Sequence, residues 1–278
     1  MVATLVIFLR EGIEASMIVA ILLAYLDRIG QRRYFRDVLL GVGSALGLAG
    51  TGGVIIYETI RTYDGTDVQT IFETVTYLVA AAVLTYMTFW MRNHSRTISR
   101  ELRERTDAAL SGGARRGLFL LSFQAVGREG LETVVFTLAV VFSTSAASAL
   151  LGGVIGLVLA LVLAFVIYRL GRNVNIGLFF KVVGSLLMVF AAGLLVDAVE
   201  NMQQLGWLPF LHHPLWNTGS VLSEGSAFGD VVHTFFGYVS QPTPLEVLVW
   251  AAYVALAVTV FLAPWQRRRQ RRAAASQA

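Results

Sequence analysis

Two short motifs place carboxylates and an arginine at helical spacing inside apolar segments. Residues 10–14 read Arg-Glu-Gly-Ile-Glu, and residues 128–132 read Arg-Glu-Gly-Leu-Glu. On a helix, carboxylates three positions apart share a face, and an arginine four positions from a glutamate can pair with it. The glycine removes a side chain, so another helix or an ion can approach closely. Each motif therefore predicts a helix face with two carboxylates beside one arginine.

Both motifs lie where charge is costly, because their surroundings are apolar enough to sit in a bilayer. One charged side chain at the bilayer centre costs at least about 2.5–3.5 kcal/mol on insertion scales. We therefore expect the two motifs to face each other or an aqueous cavity. Together they supply four carboxylates and two arginines: Glu11, Glu14, Glu129 and Glu132 with Arg10 and Arg128. The sum is net negative and rich in oxygen, which suits a hard divalent or trivalent cation.

Cation binding at such a cluster is expected to release protons. Four neighbouring carboxylates do not all ionise without a cation, because like charges disfavour one another. Our hypothesis is that this exchange of protons for the cation helps to drive or gate transport of the cation. The alternative is a buried ion-pair cluster that only holds the helices together. The surplus carboxylates argue against that alternative, because a structural lock does not require them.

The composition indicates an integral membrane protein. Of the 278 residues, 56% are hydrophobic and 14% are charged, which leaves too little polar surface for a water-soluble globule. The chain has no cysteine, so disulfides, thiolate metal sites and cysteine nucleophiles are excluded. The formal net charge of +4 does not indicate a nucleic-acid partner, because the arginines concentrate in alternate loops.

Seven segments are long and apolar enough to cross the lipid bilayer, which takes about 20 residues. We place these spans at 2–26, 38–59, 71–91, 117–142, 149–168, 179–199 and 245–264. The first lacks a basic n-region or a small-residue cleavage site, so we expect a retained span rather than a signal peptide. Arginines cluster after spans 1, 3 and 5 and in the tail, which predicts an external N-terminus and a cytoplasmic C-terminus. Gly43 with Gly47, and Gly152 with Gly156, predict close helix packing.

The order of short motifs indicates an internal repeat. Leu39-Leu40-Gly41 opens span 2 and Leu150-Leu151-Gly152 opens span 5, while Phe72-Glu73 and Phe180-Lys181 stand near the starts of spans 3 and 6. The repeated unit has three spans, which is an odd number, so its second copy enters the membrane from the opposite side. The two halves then have opposite orientations, and a site is expected near the membrane midplane. The predicted fold class is an all-α integral membrane protein with seven transmembrane helices, arranged as two inverted three-helix repeats plus one.

The chain divides into five parts on this reading. They are a first three-helix repeat at 1–91, a cytoplasmic charged linker at 92–116, a second three-helix repeat at 117–199, an extracytoplasmic loop at 200–244, and a seventh helix with a basic cytoplasmic tail at 245–278. Within the linker, 95–110 predicts a short charged helix near the lipid headgroups, with Ile98 and Leu102 on its apolar side.

The segment 200–244 is expected to be an ordered external loop rather than a domain. It contains no basic residue, and Pro209 and Pro214 punctuate it. It also carries acidic and histidine side chains: Glu200, Glu224, Asp230, His212, His213 and His233. The histidines could bind metal or contact a partner, although lone loop histidines usually do neither.

The paired motifs in spans 1 and 4 resemble those of the oxidase-dependent iron permease family. That family includes fungal high-affinity ferric permeases and the bacterial EfeU-like permeases of a three-part iron uptake system. The resemblance covers essentially the whole membrane region, with Ile13 where the family pattern has leucine. It implies that the four motif glutamates handle iron beside the two arginines. It also implies an extracytoplasmic oxidase, peroxidase or iron-delivery protein as partner.

Members of that family also carry an external acidic motif after span 6 that is similar to Asp-Ala-Ser-Glu. Here the chain has Asp197-Ala198-Val199-Glu200, with valine in place of serine. The two carboxylates remain three apart at an outward helix end, so Asp197 and Glu200 are candidates for an outer capture site. A solvated helix end is the alternative. Glu73, near the outer start of span 3, either lines the same path or is a simple interfacial carboxylate.

The leading function is the import of iron, ferric or ferrous, by a multi-pass permease of the bacterial plasma membrane. Iron is then the transported substrate, and no resident cofactor is expected. The alternatives are a permease for another metal cation, such as manganese or lead, and a membrane-embedded metal-dependent enzyme. Carboxylate di-iron enzymes typically add Glu-x-x-His pairs, and none of the four histidines lies in a predicted span. We therefore expect a transporter and not an enzyme.

Overall fold

The computed structural model describes residues 1–94, 98–143, 145–170, 176–223 and 226–275, and across these ranges it is helical, without a strand. The helices are α1 Val2–Arg28, α2 Phe35–Arg61, α3 Asp67–His94, α4 Ile98–Ser111, α5 Ala114–Ser143, α6 Ala146–Leu170, α7 Ile176–Gln204, α8 Ala227–Phe236 and α9 Pro244–Ala275. A short 3-10 turn, Arg32–Tyr34, joins α1 to α2. Each of the seven predicted spans lies within one of the longer helices.

Four helical segments are long and apolar enough to cross a membrane. They are Arg32–Arg61, Asp67–Met91, Ala146–Val166 and Lys181–Gln204. Helix α9 contributes a shorter apolar stretch, Pro244–Val260. Helices α1 and α5 are equally long, but the charges of their motifs interrupt the apolar sequence. The protein is thus an all-helical membrane protein with four clear candidate spans.

The helices associate as three close pairs, in which α1 packs along α6, α2 along α5 and α3 along α7. Gly12 of α1 lies against Ala160 of α6, and a Cβ atom on Gly12 would be 2.7 Å from the Ala160 Cβ. Gly130 of α5 lies against Ala49 of α2, with a corresponding distance of 3.0 Å. The missing side chain of each motif glycine therefore allows a neighbouring helix to approach closely.

These two helix pairs correspond residue by residue when the halves are aligned on their motifs. Gly152 of α6 lies against Thr4 of α1, and Gly41 of α2 lies against Ser122 of α5. Alignment of the two charged motifs makes Thr4 correspond to Ser122. Alignment of the two Leu-Leu-Gly segments makes Gly41 correspond to Gly152. The motif glycines give the same result, because Gly12 corresponds to Gly130 and Ala160 to Ala49. These two glycine contacts of one helix pair thus have counterparts in the other.

Two hydrophobic cores lie on opposite sides of the motifs along the bundle. The larger core includes Ile7, Leu84, Phe136, Phe190 and Leu194. The smaller core consists of Leu22, Leu26, Val38, Leu102 and Leu118, with partly buried neighbours. In both α1 and α5 the motif stands between a segment of the larger core and a segment of the smaller one. The motif charges therefore lie at the junction of the two cores.

The short helix predicted in the charged linker is present as α4. Leu102 is buried in the smaller core, as expected for its apolar side. The solvent side carries Arg105 paired with Glu101 at 2.6 Å, and the Tyr25 hydroxyl of α1 donates a hydrogen bond to Asp107 at 2.7 Å. Residues 95–97 of the predicted segment, and the side chain of Ile98, lie outside the described part of the chain.

The external segment contains a helix that the sequence prediction missed. The Ser226 hydroxyl caps the start of α8 by accepting a hydrogen bond from the Gly229 amide at 2.9 Å. Gly237 ends α8 in the left-handed conformation at φ 65°. Phe235 packs into the larger core beside Phe190, with ring centroids 6.3 Å apart. A serine cap, an apolar run and a terminal glycine are the signal that could have identified this helix. Glu224 and the side chain of Asp230 lie outside the described residues.

Gly156 and Gly47 provide a matched test of the helix packing. A Cβ on Gly156 would lie 3.0 Å from the Phe8 Cβ and 3.1 Å from the Leu5 carbonyl carbon, whereas no described atom lies within 4 Å of one on Gly47. Close packing is therefore present at the second predicted glycine pair and absent within the described chain at Gly43–Gly47. We expect Gly156→Ala to lower the free energy of unfolding in detergent by about 1–3 kcal/mol, as overpacking does.

In the matched variant, Gly47→Ala, the free energy of unfolding in the same detergent should be unchanged or higher by up to about 1 kcal/mol, because alanine is the better helix former. The measurement is a denaturant titration of both purified variants. Equal losses of stability would show that α6 does not pack on α1 as described.

Candidate metal site

Three motif carboxylates meet beside Arg10 in the protein interior. Glu11 and Glu14 of α1 and Glu129 of α5 each offer an oxygen atom, and these atoms lie within 4.8 Å of one another. Arg10 and the three glutamates expose only 2–6% of their surfaces. Helices α1 and α5 lie side by side, so carboxylates that are far apart in the sequence meet here. We call Glu11, Glu14 and Glu129 the carboxylate group.

The arginine of each motif pairs with glutamates of the same helix. The Arg10 Nη1 donates to Glu11 Oε1 at 2.6 Å, and its Nε lies 3.1 Å from Glu14 Oε1. In the second motif, the Arg128 Nε donates to Glu132 Oε1 at 2.9 Å. The pairing four positions apart follows from helical geometry, and both copies of the motif use it.

The two arginines differ in their surroundings. The Arg128 side chain is 41% exposed, against 3% for Arg10. Its guanidinium lies 4.8 Å from the centroid of the Trp90 ring, a cation–π distance, and its Nη2 contacts Met87 Sδ at 2.9 Å. Glu132 remains with Arg128 and is outside the carboxylate group. The structure therefore joins three of the four predicted carboxylates and leaves the fourth beside them.

The carboxylate group has unused capacity to bind a cation. One buried oxygen of each of Glu11 and Glu129 accepts no hydrogen bond from an N–H or hydroxyl group of the described residues, and the buried Glu14 Oε1 contacts the Arg10 Nε at 3.1 Å without accepting one. Burial of such acceptors is costly unless a partner satisfies them. A hard cation with oxygen ligands is a partner that can satisfy several at once. Arg10 supplies one positive charge against three carboxylates, so the group favours an added cation.

Two cavities reach the carboxylate group from different sides. A pocket of about 220 Å³ contacts Glu14 and Glu129 and continues along Arg128 to α4. A groove of about 1050 Å³ between the α1–α6 and α2–α5 pairs reaches Glu11 and Glu129. The groove is lined mainly by apolar side chains, as expected for a surface in contact with lipid. Charged residues make up a larger share of the lining of the smaller pocket.

Asp197 lies in α7, away from the carboxylate group, and contacts the external segment. It is 9% exposed, and its Oδ1 lies 3.8 Å from the His233 Nε2. The His233 Nδ1 is in turn 2.8 Å from the Tyr238 carbonyl oxygen. Of the loop histidines, His233 is therefore the one beside a predicted acidic candidate, whereas His212 and His213 are exposed.

The other outer candidates make local contacts. The Gln204 side-chain amide donates to Glu200 at 3.2 Å, and the Gln69 amide donates to Glu73 at 2.7 Å. Neither carboxylate joins a metal-binding group among the described residues. The sequence prediction missed Glu246, which is 3% exposed and lies near Asp197 and Glu200. No spacing rule could have found it, because α9 follows after the long external segment.

Comparison with known proteins gives a consistent result. Residues 1–266 match the iron permease FTR1 family. Two proteins named ferrous iron permease EfeU, from Escherichia coli O6:K15:H31 (strain 536 / UPEC) and Shigella sonnei (strain Ss046), are each 35% identical over 260 residues, which cover 93% of this chain and 94% of theirs. The Yersinia pestis protein of the same name is 34% identical over 260 residues, covering 93% and 92%. No solved structure matches the chain.

Proposed function

Because the chain belongs to the iron permease FTR1 family and is therefore a membrane transporter that imports iron, we propose that iron crosses at the carboxylate group. The supporting observation is that Glu11, Glu14 and Glu129 converge from two helices, nearly fully buried, beside a single arginine. Ionisable side chains within a membrane are costly, and they typically mark ion pathways. Iron is the substrate passing through this group, and the protein is not an enzyme.

We further propose that residues 1–91 and 117–199 are inverted three-helix repeats and that α9 is a seventh span. The exchange of helix contacts between the α1–α6 and α2–α5 pairs supports this arrangement. Four of the six charged motif residues are nearly fully buried in the protein rather than exposed to lipid, which removes much of the obstacle to counting both helices as spans. An inverted repeat places its binding site near the midplane, where the halves meet.

Each motif residue then has a distinct role. Glu11, Glu14 and Glu129 bind the cation, while Arg10 balances part of their charge when the group is empty. Glu132 is the fourth ligand, and it reaches the cation only after its pairing with Arg128 loosens. One carboxylate oxygen of Glu11 and one of Glu129 lie within 4.8 Å of each other, and two like charges so close favour a proton on one of the two groups. Binding of iron displaces that proton, which couples iron movement to proton release.

The outer candidates complete the proposed path. Asp197, Glu200 and Glu73 collect iron from an extracytoplasmic oxidase, peroxidase or delivery protein. The distribution of arginine supports this direction, because it places the N-terminus outside and the C-terminus in the cytoplasm. The relatives are named ferrous iron permeases, and that name favours Fe(II) as the translocated ion. Manganese and lead are the alternative substrates to be compared with it.

Uptake of radiolabelled iron into proteoliposomes tests the proposed site. We expect Glu129→Gln to lose iron uptake while it remains monodisperse in detergent. Glu58→Gln is the matched control, because Glu58 is an exposed carboxylate on α2, and it should transport as the wild type does. Folded Glu129→Gln protein with wild-type uptake would reject the site. Excess manganese or lead that competes fully with iron would instead favour the alternative substrates.

A further inference from the structure

We propose that iron leaves the carboxylate group through the pocket of about 220 Å³ beside it, and that Glu101 of α4 is its next ligand. This inference rests on the proposed function and adds a route and a residue to it. Arg105 holds the Glu101 carboxylate at this pocket in an ion pair of 2.6 Å. Helix α4 is then part of the transport path rather than only a linker between the halves.

The pocket connects the carboxylate group with α4 directly. Its end at the site is formed by Glu14, Arg128 and Glu129, and its far end by Glu101, Leu102 and Arg105. Trp90 and Met91 of α3 and Gln124 and Ala125 of α5 line the sides between the two ends. Residues of all four neighbouring helices thus enclose a continuous space that begins at the proposed metal ligands.

Toward the opposite side, the larger core packs beside the site, and the mainly apolar groove continues past it. Ile7 lies one turn before Glu11 in α1, and Phe136 lies one turn after Glu132 in α5; both side chains are fully buried. They pack beside the site on the side away from α4. Of the two cavities that reach the carboxylate group in the described part of the chain, the pocket toward α4 has the larger share of charged lining residues. The arginine-rich loops place that side in the cytoplasm.

The charges along the pocket explain why a second carboxylate is needed. Arg128 is part of the pocket lining, and its positive charge opposes a cation that moves away from Glu14. A carboxylate beyond Arg128 lowers that barrier by attracting the ion from the far side. Among the described residues that line the pocket, Glu101 is the one carboxylate outside the motifs. Its side chain is 50% exposed, so an ion bound there can exchange with water.

Helix α4 carries its own control for a purely structural role. The Glu101–Arg105 pair could act only as a four-residue ion pair that stabilises the helix. Glu104 makes an equivalent pair with Arg100 at 3.6 Å, but its side chain is 70% exposed and does not line the pocket. The two glutamates thus share a helix, a charge and a pairing geometry, and they differ in their access to the pocket.

Comparison of Glu101→Gln with Glu104→Gln tests the route. The initial rate of iron uptake into proteoliposomes should fall about tenfold in Glu101→Gln, the loss expected from removing one charged ligand, and should be unchanged in Glu104→Gln. Fe(II) should still bind to the carboxylate group of both detergent-solubilised variants, because neither substitution alters one of its three glutamates. Equal uptake by the two variants would overturn the role of Glu101. Glu129→Gln should instead lose Fe(II) binding. A failure of the proposed site can therefore be distinguished from a failure of the proposed route.

Access to the pocket can be measured independently of transport. The chain has no cysteine, so Ala125→Cys introduces a single thiol in the pocket wall, and Leu120→Cys places one on the apolar outer surface of α5. A membrane-impermeant thiol reagent should label Ala125→Cys only in vesicles that expose the cytoplasmic face, and should leave Leu120→Cys unlabelled from either face. Labelling of Ala125→Cys from the external face, or from neither face while the denatured variant labels fully, would overturn the route.

Discussion

Arg10→Met is expected to lower the free energy of unfolding by about 3–5 kcal/mol, the usual cost of removing one partner from a buried ion pair. Arg10 is 2% exposed and holds two carboxylates, at 2.6 Å from Glu11 and 3.1 Å from Glu14. Methionine fills similar space but leaves both acidic groups without their balancing charge. A denaturant titration of the detergent-purified protein measures the difference.

Arg128→Met is the matched variant, and we expect a smaller loss, about 1–2 kcal/mol, because Arg128 is 41% exposed while its partner Glu132 is 12% exposed. Among the described residues, Arg128 forms an ion pair with Glu132 and also lies over the Trp90 ring. Added Fe(II) should restore part of the stability of Arg10→Met, because a bound cation supplies the missing positive charge. Equal losses in the two arginine variants would contradict the difference in burial between the motifs.

The second large effect concerns transport. Iron uptake should fall about 100-fold in Glu14→Gln and about tenfold in Glu132→Gln, since a charged hydrogen-bonding partner contributes about 1.5–3 kcal/mol. Glu14 belongs to the carboxylate group, whereas Glu132 is held by Arg128 outside it. Initial rates in proteoliposomes with equal amounts of folded protein give the comparison.

Two results would contradict the prediction that Glu14→Gln loses more uptake than Glu132→Gln. If both variants lose uptake to the same extent, Glu132 binds the ion as directly as Glu14. If both folded variants transport as the wild type does, the motifs only hold the helices together and the path lies elsewhere. Size-exclusion profiles and thermal unfolding of each variant must match the wild type before the rates are compared.

Much of the architecture is predictable because the bilayer restricts the choices. Apolar stretches of about 20 residues must be helical in lipid, and all seven predicted spans fall inside helices. The convergence of Glu11 with Glu129 follows from the cost of placing charge in lipid. Leu102 on the buried side of α4 follows from the amphipathic pattern of the linker. These predictions depend on properties that a single helix displays in its own sequence.

The features that the sequence does not reveal depend on contacts between distant helices. The two motifs are nearly identical, yet Arg128 differs from Arg10 because Trp90 and Met87 of α3 lie beside it. The Gly43–Gly47 pair has the same spacing as Gly152–Gly156 but no described neighbour within 4 Å. Helical spacing predicts which side chains share a face of a helix. It does not predict which other helix covers that face.

The pairing of α1 with α6 and of α2 with α5 has a consequence for biosynthesis. Each motif helix is covered by a helix from the other half, so neither half can bury its own charges after it leaves the ribosome. Helix α1 enters the bilayer with Arg10, Glu11 and Glu14 long before Gly152 and Ala160 exist to pack against it. We therefore expect the motif charges of the first half to stay in contact with water or the translocon until α5 and α6 are inserted. The protein assembles as one interlocked unit, and two separately expressed halves would have to meet in the membrane to complete each other.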